Sequence, residues 1–152
     1  MKTIRNFVIF SFLFFKCMFA HGGIITGNHR LAVNGGLIHL NSTNKTSFAL
    51  SAEYEYKLAP FFGLGAQGSY IFADNALTQL ALPGVYLHPL GGDLYISASP
   101  VFYIQSGVNT QVGARFMSYL PLPIGVVLLS PVVGVDVIQG GPNYLFGLGI
   151  SI

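Results

Sequence analysis

Charge is scarce in this sequence, and tryptophan is absent. Charged residues make up 8% of the 152 residues, whereas about 25% is usual for soluble domains. So small a supply of charge argues against a protein whose whole surface faces water. The chain also contains 19 glycines and 8 prolines, which do not suit long helices. A membrane protein built from β-strands accounts for both observations.

The apolar run near the N-terminus is too short for a membrane-spanning helix, which needs ~20 residues. The basic residues Lys2 and Arg5 precede this run, Phe7–Phe15. The arrangement is typical of a secretory signal peptide. We therefore predict a cleaved signal peptide of residues 1–20, read by the Sec pathway, and a single domain of residues 21–152.

Cysteine is almost absent as well. Cys17 is the only one and lies within the predicted signal peptide, so the mature chain has no disulfide framework. A lipoprotein would need a small residue before this cysteine, and Lys16 stands there instead. Cleavage of the predicted signal peptide after Gly22 or Gly23 is an alternative to cleavage after residue 20. Loss of the signal peptide changes the formal net charge from +2 to −1, which gives no reason to expect nucleic-acid binding.

An alternation of apolar and polar residues runs along most of the chain. In the segment Phe48–Leu58 every second residue is apolar or aromatic, and the residues between are small or charged. Because successive side chains of a strand point to opposite faces, the pattern predicts strands with one apolar and one polar face. Eight candidate strands follow from it: Arg30–Leu40, Thr46–Leu58, Phe61–Phe72, Leu77–Leu87, Asp93–Gln105, Thr110–Leu120, Ile124–Ile138 and Tyr144–Ile152.

The connections between these strands alternate between two kinds. Three are tight and carry Pro or Gly, and four are polar and contain Asn. Short turns at one end and polar loops at the other are typical of outer-membrane barrels. The predicted fold class is therefore all-β, an eight-stranded antiparallel up-and-down transmembrane β-barrel. Pro100 and Pro131 lie inside predicted strands and argue against this assignment, because proline cannot donate to the ladder.

The composition of the two faces indicates which face points outward. A lipocalin-like barrel or a β-sandwich would bury its apolar face and turn its polar face to water. Here the polar set is mainly Gly, Ser, Ala, Gln and Tyr, with too little charge for a surface in water. Small polar residues suit the narrow interior of an eight-stranded barrel. We therefore predict that the bulky apolar face contacts lipid.

The pattern resembles the small outer-membrane barrels of the OmpA transmembrane-domain and OmpX kind. The resemblance covers about residues 29–152 and includes the C-terminal strand Tyr144–Ile152. It implies residence in a Gram-negative outer membrane, contact with outer-membrane lipid and lipopolysaccharide, and insertion by the barrel-assembly machinery. In that family an aromatic residue usually ends the last strand and serves as the assembly signal, whereas this chain ends in Ile152.

Charged residues on the inner faces form the candidate site. Unpaired charges in a narrow lumen are costly, so these side chains should pair with one another. We predict a lumen charge network in which residues of the second strand point to those of the sixth and seventh: Glu53, Glu55, Lys57, Arg115 and Asp136. A channel lining and a catalytic Glu pair are the alternatives for these residues.

Two other groups of residues suggest alternative functions. The segment Gly63–Gly68 matches the dinucleotide pattern G-x-G-x-x-G, but it lies within an alternating strand rather than before a helix. His39 and Ser42, with Glu53, could form the Ser-His-acid set of a lipid-modifying acyl transferase or deacylase. We assign no catalytic residue, no metal ligand and no cofactor.

Tyrosines near the strand ends suggest aromatic girdles at the two membrane boundaries. The candidates are Tyr54, Tyr56, Tyr70, Tyr86, Tyr119 and Tyr144. The whole pattern predicts an integral outer-membrane protein with a structural or interactive role, which stabilises the envelope or presents short loops. A narrow or gated channel for small solutes is the first alternative, and lipid modification at the outer leaflet is the second.

Overall fold

The computed structural model describes residues 28–73, 77–89, 94–124 and 127–151. The predicted signal peptide and its cleavage sites lie outside the described residues. The described part of the chain forms strands throughout. In chain order they are β1 (His29–Leu40), β2 (Lys45–Ala59), β3 (Phe62–Phe72), β4 (Leu77–Leu87), β5 (Tyr95–Gln105), β6 (Gln111–Tyr119), β7 (Leu122–Ile124), β8 (Val127–Ile138) and β9 (Gly141–Ser151).

The strands form one antiparallel sheet that closes on itself. Strands β1 to β6 pair in chain order, β1 also pairs with β9, β9 with β8, and β8 with β6. The short β7 pairs with β8 at Leu122 and Leu129, in the same register that joins Tyr119 of β6 to Val132. Strands β6 and β7 are therefore one strand with an interruption, and the barrel is eight-stranded.

This architecture confirms the predicted fold class. The observed bounds of the eight long strands lie within three residues of the predicted ones. No helix among the described residues is long and apolar enough to cross a membrane.

The two ends of the barrel differ in their connections. At the end that we call the loop end lie the connections from β1 to β2, β3 to β4, β5 to β6 and β8 to β9. The opposite end, the turn end, holds the other connections, together with the start of β1 and the end of β9. Residues 74–76 and 90–93, which fall in two of the connections, are outside the described part of the chain.

The alternation of side chains places polar groups inside the barrel and apolar groups outside. In β2, Phe48 and Leu50 are 49% and 45% exposed, whereas Glu53 and Glu55 are 1% and 0% exposed. A barrel in water would show the reverse distribution, because burial of apolar surface drives its folding. Apolar residues also fill the loop-end half of the interior, in a cluster of Ile38, Leu40, Ile71, Leu77, Ala81, Val101, Tyr103 and Ile138.

One extra residue in β4 reverses the alternation of that strand. The registers with β3 and β5 both shift between Ala81 and Val85, where β4 gains a residue relative to its neighbours. Before this β-bulge Gln79 and Ala81 point inward, and after it Tyr86 does. A bulge changes which face a side chain occupies, because the side-chain period of a strand is two. Tyr86 therefore points into the barrel, whereas Leu80, an even number of residues earlier in the same strand, points outward.

Both prolines inside strands lie where the ladder is interrupted. Pro100 has no register partner in β4 because it lies opposite the bulge. Pro131 lies opposite Leu120, between the paired segments of β6 and β7, and its carbonyl accepts from the Leu120 N–H at 3.2 Å. The missing donors thus fall at irregular points of the sheet, where proline is tolerated.

Candidate functional site

Arg30, the second residue of β1, lies at the turn end and is the centre of a buried polar network. Its guanidinium is ion-paired with Glu53, and its Nε donates to Glu55 Oε2 at 2.8 Å. Its Nη1 donates to the Tyr95 hydroxyl at 2.5 Å. The other carboxylate oxygen of Glu55 lies 2.6 Å from His88 Nε2. Arg30 and Glu55 are in contact because they are cross-strand partners in β1 and β2.

Three tyrosines enclose the Arg30 guanidinium. Its Cζ lies 4.0 Å from the ring centroid of Tyr95, and 5.6 and 5.8 Å from those of Tyr86 and Tyr119. Tyr95 and Tyr119 stack with centroids 4.2 Å apart. Such cation–π contacts are strongest away from water. Tyr119 also donates to Glu53 at 2.5 Å. We call this set the Arg30 network: Arg30, Glu53, Glu55, Tyr86, His88, Tyr95 and Tyr119.

A second network surrounds Arg115 of β6. Its Nε and Nη2 donate to the two carboxylate oxygens of Asp136 in β8, each at 2.7 Å, in the bidentate geometry that suits this pair. Its Nη1 donates to Gln67 Oε1 at 2.7 Å, and its Nη2 to Gln79 Oε1 at 2.6 Å. Asp136 also accepts from Tyr103. The Arg115 network consists of Arg115, Asp136, Gln67, Ser69, Gln79, Tyr103 and Asn143.

The two networks lie next to each other and fill the interior. Glu53 of the Arg30 network and Gln67 of the Arg115 network are register partners in β2 and β3. Arg115 is 1% exposed and Asp136 0%. Charges buried to this extent are tolerated only when they are paired and hydrogen-bonded. The contacts therefore account for five charged groups and one histidine inside a narrow barrel.

The predicted lumen charges thus belong to two groups rather than one. Arg115 and Asp136 meet, as cross-strand partners in β6 and β8. The sequence predicted that Glu53 and Glu55 point to Arg115 and Asp136. They pair instead with Arg30 at the turn end. Lys57 is half-buried and forms no ion pair with another described side chain.

Three members of the Arg30 network were missed by sequence reasoning: Arg30, His88 and Tyr95. Arg30 stands at the start of β1, and the alternation of that strand is a signal that would have placed it inside with Ala32 and Asn34. His88 follows the bulge of β4, next to Pro89, and is 3% exposed. Its inward direction depends on the bulge, which the sequence pattern does not reveal.

Two glycines of the segment Gly63–Gly68 make space inside the barrel. A Cβ on Gly63 would collide with the Glu55 carboxylate, and one on Gly65 would collide with the backbone of Tyr54. The segment lies within β3 and continues as strand to Phe72. A dinucleotide site needs a turn before a helix at this point, and the structure has neither there.

Only part of the tyrosine set predicted for the aromatic girdles lies on the outer face. Tyr56 and Tyr144 are 39% and 45% exposed, and the partly exposed Tyr54 and Tyr70 also lie on the outer face. Tyr86 and Tyr119 are 2% and 1% exposed and belong to the Arg30 network. Their assignment to the girdle was wrong, because the bulge turns Tyr86 inward and Tyr119 shares the inner face of β6 with Arg115.

A cavity of about 600 Å³ opens at the loop end. Its lower wall is apolar, with Leu40, Leu77 and Ile138, and its upper wall carries hydroxyl and amide groups of the loops. Tyr103 and Asn143 line the cavity and also belong to the Arg115 network. The cavity therefore ends at that network, and the Arg30 network lies beyond it toward the turn end.

The residues of the enzyme alternative are not assembled. His39 Nδ1 lies 3.1 Å from Thr46 Oγ1, its cross-strand neighbour at the loop end. Glu53 lies further along β2, about 23 Å from Thr46 at ~3.3 Å per residue, inside the Arg30 network. Ser42 lines the loop-end cavity. Within the described ranges no group of three or more His, Cys, Asp and Glu could hold a metal ion.

Comparison with known proteins rests on structure. No protein-family model matches the sequence, and no curated protein does. The N-terminal β-barrel domain of Pseudomonas aeruginosa OprF matches with a TM-score of 0.59 and 13% identity, over 83% of this chain and 98% of that one. Neisserial surface protein A matches with a TM-score of 0.58 and 10% identity, over 82% and 94%.

A de novo designed transmembrane β-barrel matches with a TM-score of 0.55 and 13% identity, over 83% of this chain and 96% of the designed one. The chain has the fold of a transmembrane β-barrel. In a transmembrane β-barrel the outward apolar side chains are the surface that meets lipid. The fold thus explains the exposed belt of Phe, Leu, Ile and Val on the outer face.

Proposed function

We propose that this protein is an integral protein of a Gram-negative outer membrane, with a closed lumen and a structural or interactive role. It anchors itself through its apolar outer face, stabilises the envelope and presents short polar loops. The likeness in fold to the OprF barrel domain and to a Neisserial surface protein supports this location. Export by a signal peptide and insertion by the barrel-assembly machinery are parts of the same proposal.

The filled interior is the observation on which the structural role depends. An aqueous channel needs a continuous path between the two ends, and eight-stranded barrels normally leave none. Here the Arg115 network closes the bottom of the loop-end cavity, and the Arg30 network occupies the turn-end half. Opening a path would separate buried ion pairs, and breaking such a pair costs ~3–5 kcal/mol.

The orientation in the membrane follows from the two ends. Outer-membrane barrels keep short turns on the periplasmic side and longer polar loops outside. We therefore place the turn end, with the two chain ends of the barrel, on the periplasmic side. The loop end then faces the outside, where lipopolysaccharide and solutes of the medium meet the loops around Asn44 and Asn109.

Single-channel recording in planar bilayers tests this role. The refolded protein should insert, as judged by heat-modifiable migration on SDS gels of the recovered protein, and give no discrete conductance steps. Steps of defined size would instead support the channel alternative. In that case Tyr103→Ala, at the floor of the cavity, should change the step size, whereas Phe102→Ala, on the outer face of the same strand, should not.

The loop-end cavity is the one observation that favours a gated passage as second candidate function. It gives solutes access from the loop end as far as the Arg115 network. Passage would still require both networks to separate at once. The same recordings decide between the candidates, because a gated channel gives rare openings and a closed barrel gives none.

A further inference from the structure

The loop-end cavity has the size of a small-molecule site, and its described lining carries almost no charge. Its volume of about 600 Å³ lies within the range of such sites, ~300–1,000 Å³. Among the described lining residues only Lys45, at the start of β2, is charged. A charged group of a ligand in the depth of the cavity would find no partner among the described lining residues, and burial of an unpaired charge is costly. The buried part of a ligand is therefore uncharged.

The polar groups at the floor of the cavity already have partners within the protein. The Tyr103 hydroxyl donates to Asp136 and accepts from Asn143 Nδ2 at 3.0 Å. The Asn143 Oδ1 accepts from the Asn41 N–H at 2.9 Å. The part of Tyr103 that remains for a ligand is its ring. With the apolar lower wall, this ring forms a floor that suits an apolar group.

Three side chains of the cavity wall keep a hydrogen-bonding capacity that no other described residue uses. They belong to Ser47 of β2, Gln105 of β5 and Gln111 of β6. A hydroxyl and a primary amide each contain a donor and an acceptor. The hydroxyl groups of a ligand also do both, whereas a carboxylate only accepts and an ammonium only donates. A molecule with several hydroxyls therefore matches this wall best.

We propose that the loop-end cavity binds an uncharged amphiphile that carries hydroxyl groups, of the chemical class of aryl and short alkyl glycosides. The apolar aglycone lies on the Tyr103 ring and the lower wall. The sugar lies against the wall groups, where its hydroxyls pair with Ser47, Gln105 and Gln111. Such a molecule reaches the cavity from the loop end, either as a free solute or as the sugar part of a glycolipid. This binding adds to the proposed structural role and needs no passage through the barrel.

Calorimetric titration with phenyl β-glucoside tests the proposal on the protein refolded into phosphatidylcholine vesicles. We expect saturable binding, and binding of glucose weaker by roughly tenfold or more, because glucose lacks the apolar group. Ser47→Trp should abolish binding, since its ring fills the cavity. Phe48→Trp, on the outer face of the same strand, is the matched control and should bind as the parent does.

A second pair of variants tests the polar end of the site. Gln105→Leu removes one hydrogen-bonding group at similar size and should weaken the binding of phenyl β-glucoside roughly two- to tenfold. Ile104→Leu, the neighbour on the outer face, should leave it unchanged. Heat-modifiable migration shows that each variant has folded, and the Gln105→Leu pair decides alone if Ser47→Trp has not.

Three results would overturn the inference: no saturable binding, equal affinities for glucose and phenyl β-glucoside, or undiminished binding by a folded Ser47→Trp or Gln105→Leu variant. Addition of lipopolysaccharide to the vesicles distinguishes the two sources of the ligand. Weaker binding of phenyl β-glucoside would support the cavity as a site for the sugars of that lipid, and unchanged binding would support a free solute. Because conductance is not the readout, failure of this inference leaves the proposed function intact.

Discussion

At the scale of single residues, the stability of this barrel depends on the balance of its buried charges. Arg115 makes two hydrogen bonds to Asp136 and two more to the amide oxygens of Gln67 and Gln79. Removal of one partner of such a pair leaves the other charged, buried and unpaired. Replacement of both by apolar residues of similar size avoids that penalty.

Arg115→Leu should therefore lower the free energy of unfolding by about 3–5 kcal/mol. The double variant Arg115→Leu with Asp136→Leu should recover part of this loss, since no charge is left without a partner. The measurement is the fraction of heat-shifted, folded protein on SDS gels against urea concentration in vesicles, which suits a chain without Trp. A double variant that is less stable than the single one would contradict the account of the pair.

The stability of the barrel should also depend on the glycine at position 63. A Cβ there would meet the Glu55 carboxylate, which is held by Arg30 and His88 and cannot move away freely. Overpacking of this kind costs roughly 1–3 kcal/mol, and we expect that loss for Gly63→Ala in the same urea titration. Gly68→Ala is the matched control, because its Cβ would lie 3.7 Å from Leu80 in ordinary contact. Equal stability of the two variants would show that the lumen at Gly63 is not tightly filled.

At the scale of the strand, the sequence predicts most of the fold. Alternation over about ten residues defines each strand, and the turns that carry Pro, Gly and Asn separate them. It cannot predict the bulge of β4, because a single extra residue leaves the pattern Leu80, Leu82, Tyr86 looking regular. The bulge decides the direction of the Tyr86 and His88 side chains, so the place of these two residues in the Arg30 network could not be predicted from the sequence.

The continuity of β6 and β7 leads to a test at this scale. The Pro131 nitrogen faces the Leu120 carbonyl across the ladder, and Pro131→Val would supply the missing N–H. A hydrogen bond of this kind contributes about 0.5–1.5 kcal/mol. Pro123→Val is the control, because its N–H would point away from β8. Both changes loosen the unfolded chain to a similar degree.

We therefore expect Pro131→Val to be more stable than Pro123→Val by about 1 kcal/mol in urea titrations of the refolded proteins. Equal stabilities would mean that Leu120 and Pro131 are not cross-strand partners, and would contradict the continuity of β6 and β7 as one strand.

At the scale of the whole molecule, the scarcity of charge predicted the direction of the two faces but not the partners within the barrel. Any inward-pointing acid can pair with any inward-pointing base until the strand order and register are known. Arg30 reaches Glu53 and Glu55 because β1 and β2 are neighbours, and Arg115 reaches Asp136 because β6 and β8 close the barrel. The separation into two networks is thus a property of the closed sheet.

The outward direction of the apolar face is the central claim, and one substitution tests it most directly. Ala52 lies on the outer face in the middle of β2, between Val33 and Gly68 in register. Ala52→Arg should lower the free energy of unfolding in vesicles by roughly 2–4 kcal/mol, because it places a charge among the acyl chains. Ala52→Leu, which also adds bulk, should fold as well as the parent. If Ala52→Arg resists urea as well as Ala52→Leu does, the apolar face does not meet lipid.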